Sequence, residues 1–230
     1  MRNVLGLVAA LAMVVGPGLA ALRLVPGLTG FALFALGGLL AVLVGLASFV
    51  QALRGRGLEP GGAAAVLAAI VFATLAVQGR GAPRINDFTT DPADPPAFER
   101  AATLPANAAR DLAYPPSFAA IQRACCADLA PVALATPPDR AFERALAVAR
   151  GMGWEVTEAA PAAGRIEAVA TTRLFGFHDD VAIRVRPGTA GGSVVDVRSK
   201  SRDGRGDLGT NAARIRAFTA ALRAADGARP

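Results

Sequence analysis

The sequence has a single histidine, His178, and its two cysteines, Cys125 and Cys126, are neighbours. One imidazole beside two adjacent thiols cannot supply the spaced Cys/His set of a common zinc site, so no metal is expected. Adjacent cysteines bond to each other only with backbone strain. The pair reads as a redox pair, a bridge to another subunit, or two small semi-buried side chains. Aromatics are scarce as well, with one Trp and one Tyr. Nucleic-acid surfaces combine a dense basic face with stacking aromatics, so no nucleic acid is expected as a partner. Lysine is nearly absent: Lys200 is the only one, and arginine takes its place elsewhere. The net charge of +6 therefore reflects overall composition more than a basic patch. There is no glycine-rich phosphate loop and no Gly-x-Ser-x-Gly elbow, and no cofactor is expected.

Charge itself is missing from the first third. Residues 3–79 carry only Arg23, Arg54, Arg56 and Glu59, whereas residues 80–230 carry 20 Arg/Lys and 17 Asp/Glu. Three uncharged runs, 4–22, 28–50 and 63–78, approach or reach the length that crosses a bilayer core of about 30 Å at 1.5 Å per helical residue. They predict three transmembrane helices in a region spanning 1–79. The first run also resembles a signal peptide, with Arg2 ahead of it and small residues at its end; the second long span close behind favours a retained helix. Gly16-Pro17-Gly18 is expected to kink it, because Pro lacks a backbone donor. Small residues recur at four-residue spacing in Ala12/Gly16/Ala20, Gly37/Ala41/Gly45 and Ala65/Ala69/Ala73, a pattern that lets helices approach closely in lipid. Chance in an alanine-rich chain gives the same pattern. With no ionisable group inside any span, a pump or proton-coupled transporter is disfavoured, and the helices read as an anchor or a surface for self-association. Arg54 and Arg56 place their loop on the cytoplasmic side. Three spans then put residues 80–230 outside, in the periplasm of a bacterial inner membrane.

Residues 83–138 hold ten prolines. Proline fixes φ and cannot donate to a ladder, so residues 80–135 read as an extended arm. Phe88, Phe98, Leu104, Tyr114, Phe118 and Ile121 would anchor it on a domain spanning 136–230. A short helix is expected over 117–125. Residues 136–151 predict a helix, with Thr136 as N-cap, Pro137 in the first turn and Gly151 ending it. The period then changes to two. Residues 154–158, 165–172, 180–186 and 193–200 read as four strands. A last helix over about 208–225 would bury Leu208, Ala212, Ile215, Phe218 and Leu222. The expected fold is α+β: a four-stranded antiparallel sheet with two helices packed on one face. Strands three and four should pair Val185 with Val195 and Ile183 with Val197 on the core face. Arg184 then meets Asp196, and Asp180 meets Lys200, on the other.

The stretches NDFTTD (86–91), FGFHDDVAIRVR (175–186) and VDVRSKSRDGRGDLGTNAARIRAF (195–218) resemble the family named domain of unknown function 1499. Its members are bacterial, also occur in photosynthetic eukaryotes, and are often membrane-anchored. The resemblance covers 84–225. Its pattern falls on Asp179, Asp180, Arg198, Ser199, Ser201, Arg202, Asp207, Gly209, Asn211, Arg214 and Ile215. Cys125-Cys126-Ala127 departs from it, where members more often carry an aromatic-proline stretch, which argues against a family-wide role for the thiols. The resemblance implies the fold and its boundaries but no reaction.

The candidate site is the segment 198–214. Arg198, Ser199, Ser201, Arg202, Asn211 and Arg214 form an anion- or partner-binding set: guanidiniums fork onto phosphate or carboxylate, and the start of the last helix offers N–H groups. A second group, Asp179, Asp180, Arg184, Asp196 and Asp207, reads as a structural charge cluster that can equally absorb those arginines. A non-enzymatic binding or scaffolding module of the cell envelope is expected, contacting an anionic lipid, glycan or protein group through the 198–214 turn. Its partners would be membrane lipids, an envelope protein or a second copy. The alternative is a hydrolase using His178 and a nearby serine, although His178 and Asp179 point to opposite faces of a strand.

Overall fold

The computed structural model describes residues 1–227, which form two compact units. The first comprises Met1–Gly81 with the loop Thr172–Phe177. Its helices are α1 (Arg2–Ala21), α2 (Gly27–Leu53) and α3 (Pro60–Gly79). All three are long and apolar enough to cross a membrane. α1 runs through Pro17 without ending. The small residues sit where the helices meet: a Cβ on Gly37 would lie 2.9 Å from the Ala9 carbonyl, and one on Gly38 would strike the Phe72 ring. Gly16, Ala20, Ala41, Gly45 and Ala65 are buried, whereas Ala73 is exposed. Leucines such as Leu11, Leu36 and Leu43 face outward, as lipid contact requires.

The second unit holds Ala82–Thr171 and residues 178–227. It contains β1 (Asp87–Thr89), α4 (Pro116–Cys125), β2 (Val132–Leu134), α5 (Pro138–Gly151), β3 (Glu155–Ala160), β4 (Arg165–Thr171), β5 (His178–Pro187), β6 (Ser193–Ser201) and α6 (Thr210–Gly227). The expected antiparallel sheet is present, but it has six strands instead of four, in the order β1-β6-β5-β4-β3 with β2 also on β6. The two additional strands come from the proline-rich arm. Each is only three residues long, too short for a period-two pattern to register, and they sit end to end on the outer edge of β6, opposite 198–200 and 193–195. The register of β5 with β6 is the expected one, with Val185 opposite Val195, Ile183 opposite Val197, Arg184 opposite Asp196 and Asp180 opposite Lys200.

One face of the sheet packs on α5 and α6. Ile166, Ala168, Val181, Ile183, Val195 and Val197 meet Phe142, Ala145, Ile215, Phe218 and Leu222 there. Trp154 stacks on Phe218 at 5.3 Å. Full burial of each large aliphatic or aromatic side chain stabilises by about 1.5–3 kcal/mol. The opposite face is covered by the arm, where Phe98 and Ala101 pack on Ala182.

Four local expectations are corrected. Thr136 does not cap α5; Pro137 holds the N-cap position, and the Thr136 hydroxyl instead joins Arg144 and Asp226. Gly151 remains helical, and the left-handed residue is Gly153, at φ +76°. Leu208 lies outside α6 and is 68 % exposed, because the Asp207 carboxylate accepts the Gly209 and Asn211 N–H groups and starts the helix after it. Ile121 faces solvent, and its neighbour Gln122 is the buried anchor. The Gln122 carboxamide imitates a strand: Oε1 accepts the Thr89 N–H at 3.0 Å and Nε2 donates to the Thr89 carbonyl at 2.6 Å.

Candidate functional site

Alternation along β5 and β6 divides the candidate residues between the two faces of the sheet. Asp179, Ser199 and Ser201 face the helices, whereas Asp180, Arg198, Lys200 and Arg202 face the arm.

On the helix side, Arg214 of α6 reaches back to β5, with Nη2 2.6 Å from Asp179 Oδ2. Its Nη1 donates to Ser199 Oγ at 3.0 Å. Ser199 Oγ donates to Asn211 Oδ1 at 2.6 Å, and Asn211 Nδ2 donates to Ser201 Oγ at 2.8 Å. Asn211 is fully buried, so its amide links the last strand to the last helix with no water between them. Asp207 closes the cluster from the turn. Burial raises its carboxyl pKa above the usual range, against the lowering effect of the two N–H groups it accepts.

On the arm side, Asp87, Lys200 and Asp180 occupy one row across β1, β6 and β5. Arg198 grips Asp87 with two bonds, Nε at 2.9 Å and Nη2 at 2.7 Å, and Lys200 Nζ adds a third at 3.0 Å. The Arg198 guanidinium also donates to the Pro96 and Leu112 carbonyls and lies 4.5 Å above the Phe98 ring. Such a planar, fully bonded arginine is fixed in a way lysine cannot reproduce. The Tyr114 ring centre also lies 5.6 Å from the guanidinium carbon. Burial, reinforced by Asp87, pushes the Tyr114 phenol up to about 12. Asp180 is held by Arg202 at 2.6 Å, by Asn107 at 3.0 Å and by Arg110 at 3.4 Å. Further along, Asp196 takes Arg184 at 3.0 Å and Arg186 at 2.8 Å, and Arg184 continues to Asp94 of the arm at 2.8 Å.

Each arginine of the binding set is thus bonded to a carboxylate: Arg202 and Arg214 to Asp180 and Asp179 of the charge cluster, and Arg198 to Asp87, which lies outside both groups. What remains open in 198–214 is the turn itself, where Asp203, Gly204, Arg205, Gly206 and Leu208 are exposed. His178 accepts or donates at Nδ1 with Thr171 Oγ1, 3.0 Å away. It shares a face with Asp180, so Ser199 and Ser201 point away from it. Cys125 is exposed, Cys126 is buried, and both thiols are free.

Several anchoring residues were invisible to sequence reasoning. Glu167 is 1 % exposed and accepts the backbone N–H groups of Glu99, Arg100 and Ala101 at 2.7–2.8 Å. Asp87, Asn107 and Arg110 tie the arm to the sheet from the arm's own side, Asp87 by accepting from Arg198 and Lys200 and the other two by donating to Asp180, while Gln122 braces Thr89. Only an acid placed mid-strand among apolar residues, as Glu167 is in RIEAVATT, could have signalled it.

Three membrane-length helices ahead of an α+β unit whose sheet carries buried ion pairs on both faces define a class: candidate membrane-anchored proteins with an α+β module. The family model described as a protein of unknown function, DUF1499, matches residues 87–222, and the chain belongs to that family. No curated protein matches it.

Proposed function

We propose that the protein is a membrane-anchored, non-enzymatic binding or scaffolding module whose contact surface is the segment 198–214. One observation carries this reading. Arg198, Arg202 and Arg214 are bonded to Asp87, Asp180 and Asp179, while the turn between the last strand and the last helix stands exposed. Those pairs tie β1, β5, β6 and α6 together, so the turn is carried on a stiff support. A stiff, preorganised surface loses little conformational freedom on binding, which favours recognition of an anionic group by Arg205, the exposed guanidinium of the segment. The membrane is a bacterial inner membrane in this reading, with the Arg54/Arg56 loop cytoplasmic and the soluble unit periplasmic.

Thermal unfolding of the full chain in detergent, against inorganic phosphate, glycerol phosphate, acidic sugars and nucleotides, tests the binding. A ligand at 100 times its dissociation constant stabilises by about 2.7 kcal/mol, which reads as a clear rise in midpoint. The expected rise is lost in Arg205→Gln. If no anion moves the midpoint, the segment binds none of these free anions. Topology is tested separately with single cysteines at Gly57 and Ala190 in a chain with Cys125→Ser and Cys126→Ala. An impermeant maleimide should label Ala190→Cys in cells whose outer membrane alone is opened, and Gly57→Cys only after lysis. The reverse pattern would invert the orientation.

A further inference from the structure

The exposed turn is covalently close to a membrane span. Asn86 O accepts the Ser201 N–H at 2.8 Å, and Asn86 Nδ2 donates to the Gly204 carbonyl at 2.7 Å. Gly206 and Gly209 lie against Arg84 and Ala82: a Cβ on either would be 3.6 Å and 3.9 Å from them. The chain from Ala82 to Asn86 is therefore fastened along the turn. Only Arg80 and Gly81 separate Ala82 from the end of α3 at Gly79. At roughly 3.3–3.6 Å per residue, Ala82 stays within about 11 Å of that helix end whatever the orientation of the soluble unit. The polar headgroup layer begins where the apolar core stops and adds roughly 5–8 Å on each side.

The chemistry of the turn suits that location. Unlike Arg198, Arg202 and Arg214, the exposed Arg84 and Arg205 take part in none of the ion pairs found among the described residues. Arg80 is exposed at the helix end, and Asp203 is the one exposed carboxylate of the turn. Leu208 stands between these groups at 68 % exposure, in the left-handed region at φ +54°. A leucine held outward costs backbone strain and hydrophobic hydration, and both are offset if an apolar phase receives it.

We infer that Arg84, Arg205 and Leu208 dock on the headgroup layer of the bilayer that holds the chain's own helices. Anionic phospholipid phosphate sits on the two guanidiniums, and Leu208 enters the apolar boundary. This rests on the reading of 198–214 as a contact surface and names its partner. The tether selects the bilayer over a soluble ligand, because the effective concentration of headgroups around a surface fixed so close to a span exceeds that of any free anion.

The test uses the full chain in two vesicle types, phosphatidylcholine alone and equal parts phosphatidylcholine and phosphatidylglycerol. A nitroxide is placed at Leu208→Cys or, as a control, at Ala190→Cys, in a chain with Cys125→Ser and Cys126→Ala. In the mixed vesicles the label at 208 should collide more with lipid-soluble oxygen than with a water-soluble nickel chelate, and the label at 190 should do the reverse. Arg84→Gln or Arg205→Gln should each lower the ratio of docked to free turn about fivefold, the equivalent of about 1 kcal/mol per basic residue at an anionic surface. A label at 208 as water-accessible as the one at 190 in both vesicles overturns the lipid assignment. If it does so while a soluble anion still raises the unfolding midpoint, the segment binds a different occupant. If neither signal appears, the contact-surface reading falls with it.

Discussion

Tyr114 offers the most direct test of the buried charge row, because it is the only tyrosine and its titration can be read without ambiguity. Its phenol is pushed up to about 12 by burial and by Asp87, whereas an unfolded chain titrates near 10. The folded state therefore keeps a proton that the unfolded state releases first. The associated stability is intact below pH 10 and lost as pH rises from 10 through 12. A rapid pH jump followed by phenolate absorbance should give a midpoint near 12, and Asp87→Asn should lower it. A midpoint at 10 in the folded chain would mean that the ring is not enclosed by Arg198 and the arm. Glu167 makes the complementary case. Its two oxygens satisfy three backbone N–H groups of the arm. Glu167→Gln replaces one acceptor by a donor and leaves buried N–H groups unpaired, which costs about 1–3 kcal/mol. Limited proteolysis should then cut the arm near Arg100 before the sheet unfolds; wild-type resistance in the variant would contradict this.

At the scale of elements, how much could be read from sequence depended on length and period. The hairpin of β5 and β6 was legible to its register, because alternating valines and paired charges fix one alignment; a slip by one residue would bury Arg184 and expose Ile183. β3 was less legible, since a register shift between Val156 and Glu158 breaks its alternation. β1 and β2, three residues each, are too short for a period to be read in sequence and pair along the edge that β6 offers them. The start of α6 was misplaced because Leu208 fits the helical stripe by spacing, while the Asp207 carboxylate decides the boundary. For the membrane helices the four-residue stripes were legible, and their partners were not. Gly37→Leu should separate α1 from α2, since a Cβ there already meets the Ala9 carbonyl at 2.9 Å. The expected result is loss of folded protein in mild detergent, while Leu36→Val, on the exposed side, leaves the yield unchanged. Equal yields would show that α1 and α2 do not pack through Gly37.

At the scale of the whole molecule, sequence gave the family and the division into helices and a soluble unit, because hydropathy and charge change together near residue 80. The site was only half legible. Its residue types were evident from the run between Arg198 and Arg214, and the face of Asp180 followed from its pairing with Lys200, but which arginines are consumed internally depends also on Asp87, which lies on a strand too short to read. The proposed contact confines the partner of this unit to one turn. Hydrogen exchange of the full chain in nanodiscs, with and without phosphatidylglycerol, tests it most directly. The account predicts that the anionic lipid slows exchange in peptides covering 80–86 and 202–210 and leaves β3, β4 and α5 unchanged. Protection confined to another surface, such as the free edge of β3, or no difference between the two bilayers, would contradict it.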